Sequence, residues 1–272
     1  MRRSLLLLLS VILFCSSAWA QRFSFGVPNL VDYDKRYFHY GFSLGLDIVD
    51  VNIKTKTNYQ DPNICQDFNG LVLKEIKSSA KTAFNVGILV NLRLGDYFDL
   101  RFIPAFSWAH DFHLTYIFFQ DNVKEELNKD INCNYINLPL FFKFKSSRMH
   151  NVRVYVMSGA QLGINMSSMK NYLPPENKKT GYDDISDLRV KEIVPLIKRT
   201  DFQVKGGFGF DFYTTYFKLS AEFNISFGLF NMLEKPENIK DDTYRKSYLT
   251  LPIVTGIQSL KSKTISLSII FE

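Results

Sequence analysis

Phe202-Gln203-Val204-Lys205-Gly206-Gly207-Phe208-Gly209-Phe210-Asp211-Phe212-Tyr213-Thr214-Thr215-Tyr216-Phe217-Lys218-Leu219-Ser220-Ala221-Glu222-Phe223-Asn224-Ile225-Ser226-Phe227 decides the fold. Side chains of an extended chain alternate between two faces. Phe202, Val204, Phe208, Phe210 and Phe212 share one face, and Gln203, Lys205, Gly207, Gly209 and Asp211 the other. After Thr214-Thr215 the alternation resumes. Phe217, Leu219, Ala221, Phe223, Ile225 and Phe227 oppose Lys218, Ser220, Glu222, Asn224 and Ser226. Each segment spans about ten residues or more, the length a tilted strand needs to cross a bilayer.

The same pattern recurs along the chain. Phe38 to Ile48, Phe84 to Leu92, Phe98 to Trp108, Ile136 to Phe144, Val152 to Ile164 and Ile265 to Phe271 each carry an apolar face and a polar one, with Leu89 interrupting a polar face. The prediction is eight strands. Short links at Gly95-Asp96, Ser146 to Asn151 and Thr214-Thr215 alternate with long connections over 49–82, 110–131, 165–200 and 228–261. That alternation predicts an all-β fold: an eight-stranded antiparallel up-and-down transmembrane β-barrel with short periplasmic turns, long extracellular loops and both termini periplasmic. Closure removes the unpaired strand edges that lipid does not tolerate. The long connections read as polar and irregular, with short helices at 121–129 and 183–194 and an exposed tip at Pro174 to Lys179.

A lipocalin has the same strand count with its apolar face inward. Three features favour lipid outside. The polar face is mostly Gly, Ser, Asn and Gln. Gly41, Gly45, Gly87, Gly159, Gly163, Gly207 and Gly209 all lie on it, which suits a narrow filled lumen. Phe98, Trp108, Phe144, Phe217, Phe227 and Phe271 sit near strand ends on the apolar face, as interfacial girdles do. The lumen then receives Asp47, Arg93, Arg101, Lys143, Arg153, Lys205, Asp211, Lys218 and Glu222 as internal ion pairs, with Lys205 and Lys218 facing Asp211 and Glu222.

Residues 1–20 read as a signal peptide: Arg2-Arg3, an apolar run from Leu5 to Phe14, then Ala18-Trp19-Ala20 before Gln21. Residues 21–36 form a periplasmic lead-in and 37–272 the outer-membrane barrel. The formal net charge of +6 is spread along the chain with no clustered basic stripe, so no nucleic-acid partner is expected. No small-molecule substrate is predicted. Outer-membrane lipid and lipopolysaccharide are the expected surroundings. Cys65 and Cys133 form a disulfide or remain two thiols; their spacing matches no metal motif. His110-x-x-His113 is a poor chelate on an extended strand. Ser107, His110 and Asp111 are the compact set that a lipid-modifying enzyme of the outer leaflet would use. No catalytic residue, metal or cofactor is assigned.

The run Pro28-Asn29-Leu30-Val31-Asp32-Tyr33-Asp34-Lys35-Arg36-Tyr37-Phe38-His39-Tyr40-Gly41-Phe42-Ser43-Leu44-Gly45 resembles the start of the PorT family, and Leu260 to Glu272 is similar to its ending. Those proteins are outer-membrane barrels of Bacteroidetes linked to the type IX secretion system. The terminal Glu272 departs from the Phe common at the end of other outer-membrane proteins. The resemblance implies a non-enzymatic component needed for function or assembly of that system, with secretion proteins as partners. Asn29, Leu30, Asp32, Tyr33, Asp34, Lys35 and Arg36 form its docking segment, or else an unstructured tail. The rival readings are a structural or adhesive barrel without a secretion role, and the lipid-modifying enzyme.

Overall fold

The computed structural model describes residues 28–57, 72–120, 123–167, 197–234 and 256–272. The signal peptide, Cys65, the Pro174 to Lys179 tip and the 183–194 helix lie outside them. Eight hydrogen-bonded staves make the barrel: β1 (Phe38–Thr55), β3 (Lys81–Arg93), β4 (Phe98–Phe102) continued by β5 (Ala105–Trp108), β8 (Tyr135–Lys145), β9 (Val152–Asn165), β10 (Thr200–Tyr213), β11 (Lys218–Gly228) and β12 (Ile257–Phe271). Every pairing is antiparallel, in the order β1-β12-β11-β10-β9-β8-β4/β5-β3, and β1 pairs with β3 to complete the ring. The Phe98 to Trp108 strand is split because Pro104 has no N–H to give the ladder. Ile103 donates instead to the Pro139 carbonyl, and Pro104 accepts from Ile88.

The apolar faces point outward. Phe38, Leu46, Ile88 and Leu267 are each more than half exposed, whereas Ser43, Asp47, Asn91, Ser220 and Ser266 on the alternate positions are buried. A soluble chain would not leave so continuous an apolar surface. On β1 the apolar band runs from Phe38 to Ile48. That is roughly 34 Å of strand, or about 25 Å of bilayer once tilted.

Residues 110–131 correct the expectation of an irregular loop with a short helix. They form the hairpin β6 (Phe112–Gln120) and β7 (Val123–Ile131), joined by β2 (Val72–Ser79) into a second, three-stranded sheet. Phe112, Leu114 and Tyr116 alternate with His113 and Thr115, a period-two signal that runs into the apolar Ile117-Phe118-Phe119. Their apolar side packs with Leu73 and Ile131 against the inward Val49, Val51, Ala83, Tyr135, Ile257 and Leu260 of the barrel, which closes that mouth with a dry plug. The strands also run further than the alternation suggested, β1 to Thr55 and β12 from Ile257, so the barrel continues past the apolar band.

On the outer side of this lid, Asp130 bonds Lys81 Nζ at 2.6 Å and His113 Nδ1 at 2.7 Å. First the Lys81 bond and then the His113 bond hold its carboxyl below the usual range. A lowered folded value gives stability that is present above the unfolded value and is lost as the pH falls through the folded one. The group is exposed, so the pair contributes a few tenths of a kcal/mol. Amide exchange in β6 and β7 should therefore quicken slightly below about pH 4, and Asp130→Asn should abolish that step.

Candidate functional site

The inward positions stack in layers along the barrel. At the end carrying both termini, residues 28–36 fold across the mouth, with a 3-10 turn at Tyr33–Lys35. Asn29 Nδ2 donates to the Tyr213 carbonyl at 3.1 Å, and the Asn29 amide donates to Asn151 Oδ1 at 2.8 Å. Arg148 reaches the Asn29 carbonyl. Asp34 pairs with Arg153 at 3.2 Å and accepts from the Tyr213 hydroxyl at 2.8 Å. Tyr33 lies over His39, ring centroids 4.4 Å apart, with its hydroxyl 3.5 Å from Glu272 Oε2. Burial, then the Glu272 carboxylate, pushes the Tyr33 phenol well above its ordinary value, so it stays a donor. Of the proposed docking residues, Asn29, Tyr33 and Asp34 therefore bind the barrel itself. Asp32 and Lys35, bonded to each other at 2.9 Å, and Arg36 face outward. The segment is an anchored strap, which overturns the reading of it as an unstructured tail.

Above the strap lies a charge lattice. Arg101, with no exposed surface, binds Glu222 through one amino group and Glu272 Oε1 at 3.0 Å through the other. Glu272 Oε2 takes Lys218 at 2.5 Å. Lys143 pairs with Asp211 at 3.0 Å and Lys145 with Asp99 at 2.6 Å. The Tyr155 hydroxyl donates to Glu222 at 2.6 Å while its ring lies 3.4 Å from Lys143 Nζ. Ser220 and Asn91 donate to Asp211 and Asp99 at 2.6 and 3.2 Å. This arrangement corrects the expected pairing of Lys205 and Lys218 with Asp211 and Glu222. In the β10–β11 register Asp211 sits opposite Ser220 and Glu222 opposite Gly209, so neither acid meets a lysine on the adjacent strand. Side chains instead reach across the bore. Arg93 is a second correction: it leaves the lumen for the rim, where it pairs with the exposed Asp96. Replacing Arg93 by methionine should cost less than about 1 kcal/mol.

A small apolar layer follows, formed by Leu89, Ile103, Phe141, Met157 and Ile270. Leu89, which broke the polar alternation, belongs here. Beyond it Asp47 accepts from Asn85 at 2.8 Å and from Ser107 at 3.3 Å, and Lys205 donates to Gln161 at 3.3 Å. Asp47, Asn85, Lys205 and Asn224 line an internal cavity of about 40 Å³, room for a few waters. Asp47 Oδ1 and Asn224 Oδ1 are buried there without a protein partner.

Ser107, His110 and Asp111 do not converge. Ser107 has no exposed surface and bonds Asp47 and Asn137; His110 is buried against Tyr135; Asp111 accepts from the Cys133 amide. His113 is held apart at Asp130. Among the described residues no group of three His, Cys, Asp or Glu could hold a metal. Cys133 is buried under the lid, with Asn165 Nδ2 3.4 Å from its sulfur; the bridge to Cys65 falls outside the described residues. Sequence reasoning missed Glu272, Asp99, Lys145 and Tyr155 as members of the lattice. Asp99 and Lys145 stood on the polar face and could have been read there.

Both mouths are covered, and the bore between them holds the charge lattice, the apolar layer and one small polar cavity. Planar-bilayer recordings of the purified protein should show no steady channel, and a large stable conductance would contradict the layer order just described.

The model of an outer membrane protein beta-barrel domain matches residues 19–234. No curated protein matches. Among solved structures, Neisserial surface protein A is similar at 9% identity and a TM-score of 0.38, covering 86% of this chain and 98% of its own. Ail, the attachment invasion locus protein of Yersinia pestis, is similar at 13% identity and a TM-score of 0.33, covering 87% and 99%. LpxR from Salmonella typhimurium is similar at 7% identity and a TM-score of 0.24, covering 82% and 99%.

Proposed function

We propose, on the premise that this chain belongs to the outer membrane protein beta-barrel domain family, that it is a non-enzymatic component serving the type IX secretion system, of the PorT kind. Its strapped end faces the periplasm and its lidded end the cell exterior. The short turns at the strapped end support that orientation, since outer-membrane barrels keep their short turns inside. The sealed interior is the observation that carries the reading. A barrel whose bore is closed by Asp34, the Arg101 lattice and the Tyr116 plug acts through its surfaces, as a scaffold or assembly partner rather than a conduit. At the periplasmic end those surfaces are Leu30, Asp32, Lys35 and Arg36 on the strap, beside the exposed Val31 and Tyr37. The sequence run from Pro28 to Gly45 is what points to secretion in particular.

Deleting the gene should block export of type IX cargo, and the wild-type gene should restore it. An Asp32→Ala/Lys35→Ala/Arg36→Ala variant should assemble normally in the membrane yet restore export poorly. Unchanged export after deletion, with a weakened envelope, would replace this reading by a structural or adhesive barrel. Altered lipid A in a Ser107→Ala strain would revive the lipid-modifying enzyme.

A further inference from the structure

On the lidded side, β1 and β12 leave the apolar band at the same height. Ile48 pairs with Ile265, and beyond that pair the outward positions change character. They read Asp50, Asn52 and Lys54 on β1, with Lys56 just past its end, and Lys263 and Lys261 on β12. Asp50 sits opposite Lys263, Asn52 opposite Lys261, and Lys54 opposite Ser259. Lys261 and Lys263 therefore lie about 7 Å apart along one strand, and Lys54 lies on the ladder diagonal from Lys261 at roughly the same distance. Three flexible ammonium groups can meet over one point of this seam.

Among the described residues, nearby acids do not pair with them. Among the described residues no carboxylate bonds Lys54, Lys56, Lys261 or Lys263. Asp50 is the one acid on the seam's outward face, and its Oδ1 already accepts from Ser78 and from the Val51 amide. Glu75 of the neighbouring β2 is paired with Lys77. Just below and to the side lie apolar groups for a chain to rest on: Ile48, Ile265, and the half-exposed Phe227 and Leu229, with Phe227 opposite Lys263 in the β11–β12 ladder. Unpaired cations directly above a greasy wall match an amphiphile with an anionic head at the membrane surface. Lysine suits phosphate as a mobile point charge.

We infer that Lys54, Lys261 and Lys263 form a binding site for the phosphate of an outer-leaflet lipid of the lipopolysaccharide type, whose acyl chain lies along Ile48, Ile265 and Phe227. The inference rests on the orientation proposed above. The site fixes the barrel's depth and rotation in the leaflet and gives it an annular lipid on one side only.

Native mass spectrometry of the full-length protein in detergent, titrated with bisphosphorylated lipid A, tests this. The Lys54→Gln/Lys261→Gln/Lys263→Gln variant should bind at least about ten-fold more weakly, while the matching triple arginine variant should retain binding. Dephosphorylated lipid A should bind the wild type as weakly as it binds the glutamine variant. Equal binding of both lipids by the wild type, or full binding by the glutamine variant, overturns the site. Inorganic pyrophosphate competing at the same concentration as the lipid would also overturn it, by showing a general anion site. Orientation is read separately, from impermeant thiol labelling of Lys56→Cys on intact cells, above the label taken by the parent. Binding in detergent without that labelling would retain a phosphate site and reject the outer leaflet.

Discussion

Replacing Arg101 by methionine is expected to lower barrel stability by about 3–5 kcal/mol. Arg101 is wholly buried, and its guanidinium is shared between Glu222 and Glu272, with Asn91 Oδ1 3.4 Å from Nε. Methionine keeps most of the length but removes the charge, leaving Glu222 with the Tyr155 hydroxyl and Glu272 with Lys218 and the more distant Tyr33 hydroxyl. An uncompensated carboxylate in a narrow bore then has to be hydrated or protonated, and either demands that the layer loosen. The measurement is urea unfolding in detergent micelles or vesicles, followed by Trp108 fluorescence at the lidded rim, where its ring lies 6.1 Å from that of Phe84. Restoring electrical balance in Arg101→Met/Glu222→Gln should recover much of the loss, because a buried ion pair is costly mainly when half of it is removed. If the single variant unfolds at the same urea concentration as the wild type, the lattice does not hold the barrel. The rim substitution Arg93→Met supplies the contrast, since its partner Asp96 is exposed and the pair is screened by water.

That contrast marks the boundary of what the sequence made legible. Period-two alternation assigned each strand its lipid face and lumen face, because a side chain in lipid and a side chain in a filled bore select opposite chemistries. It also put Asp47, Arg101, Lys143, Arg153, Lys205, Asp211, Lys218 and Glu222 on inward faces. Alternation carries no information on stagger, however. Which charge meets which depends on strand register and on reach across the bore, so Lys143 finds Asp211 two strands away while Lys205 settles on Gln161. Arg93 has the right parity but stands one step too near the rim, where its side chain takes Asp96 and the Lys35 carbonyl. Glu272 follows the outward Phe271, so the same parity carries its side chain inward; what alternation does not give is that it meets Arg101 and Lys218 there. The lid was misread for another reason. Phe112 to Tyr116 alternates but Tyr116-Ile117-Phe118-Phe119 is continuously apolar, and β7 is Lys-Glu-Glu-Leu-Asn-Lys-Asp in its middle, with Glu, Leu and Lys among the helix formers. Pairing with β6 overrides that preference, as context commonly does.

A graded series at three glycines should separate close backbone approach from mere smallness. Gly159 lies on β9 opposite Phe141 of β8. A Cβ built on it would fall within the van der Waals shell of the Leu140 carbonyl oxygen, 2.8 Å from the Phe141 Cα and 2.9 Å from the Leu140 carbonyl carbon. Those are backbone atoms held by the ladder on both sides, so they cannot yield without breaking pairing. At Gly163 the nearest atoms are the Tyr135 ring at 3.2 Å and Asn137 Oδ1 at 3.3 Å, side-chain groups that can turn aside. At Gly206 the nearest atom is the Met157 carbonyl at 3.7 Å, an ordinary contact. Alanine at Gly206 should thus leave stability within about 0.5 kcal/mol, and at Gly163 cost roughly 1 kcal/mol. At Gly159 the expected cost is about 3 kcal/mol or more, enough to leave much of the protein unfolded on an unheated gel that resolves folded from unfolded barrels. Phe141 is buried in the apolar layer directly across from Gly159, so the missing side chain is the space its ring covers. Should Gly159→Ala fold as well as Gly206→Ala, β8 and β9 do not approach as closely here as the register requires, and the layer of Leu89, Ile103, Phe141 and Met157 would have to be wider than described.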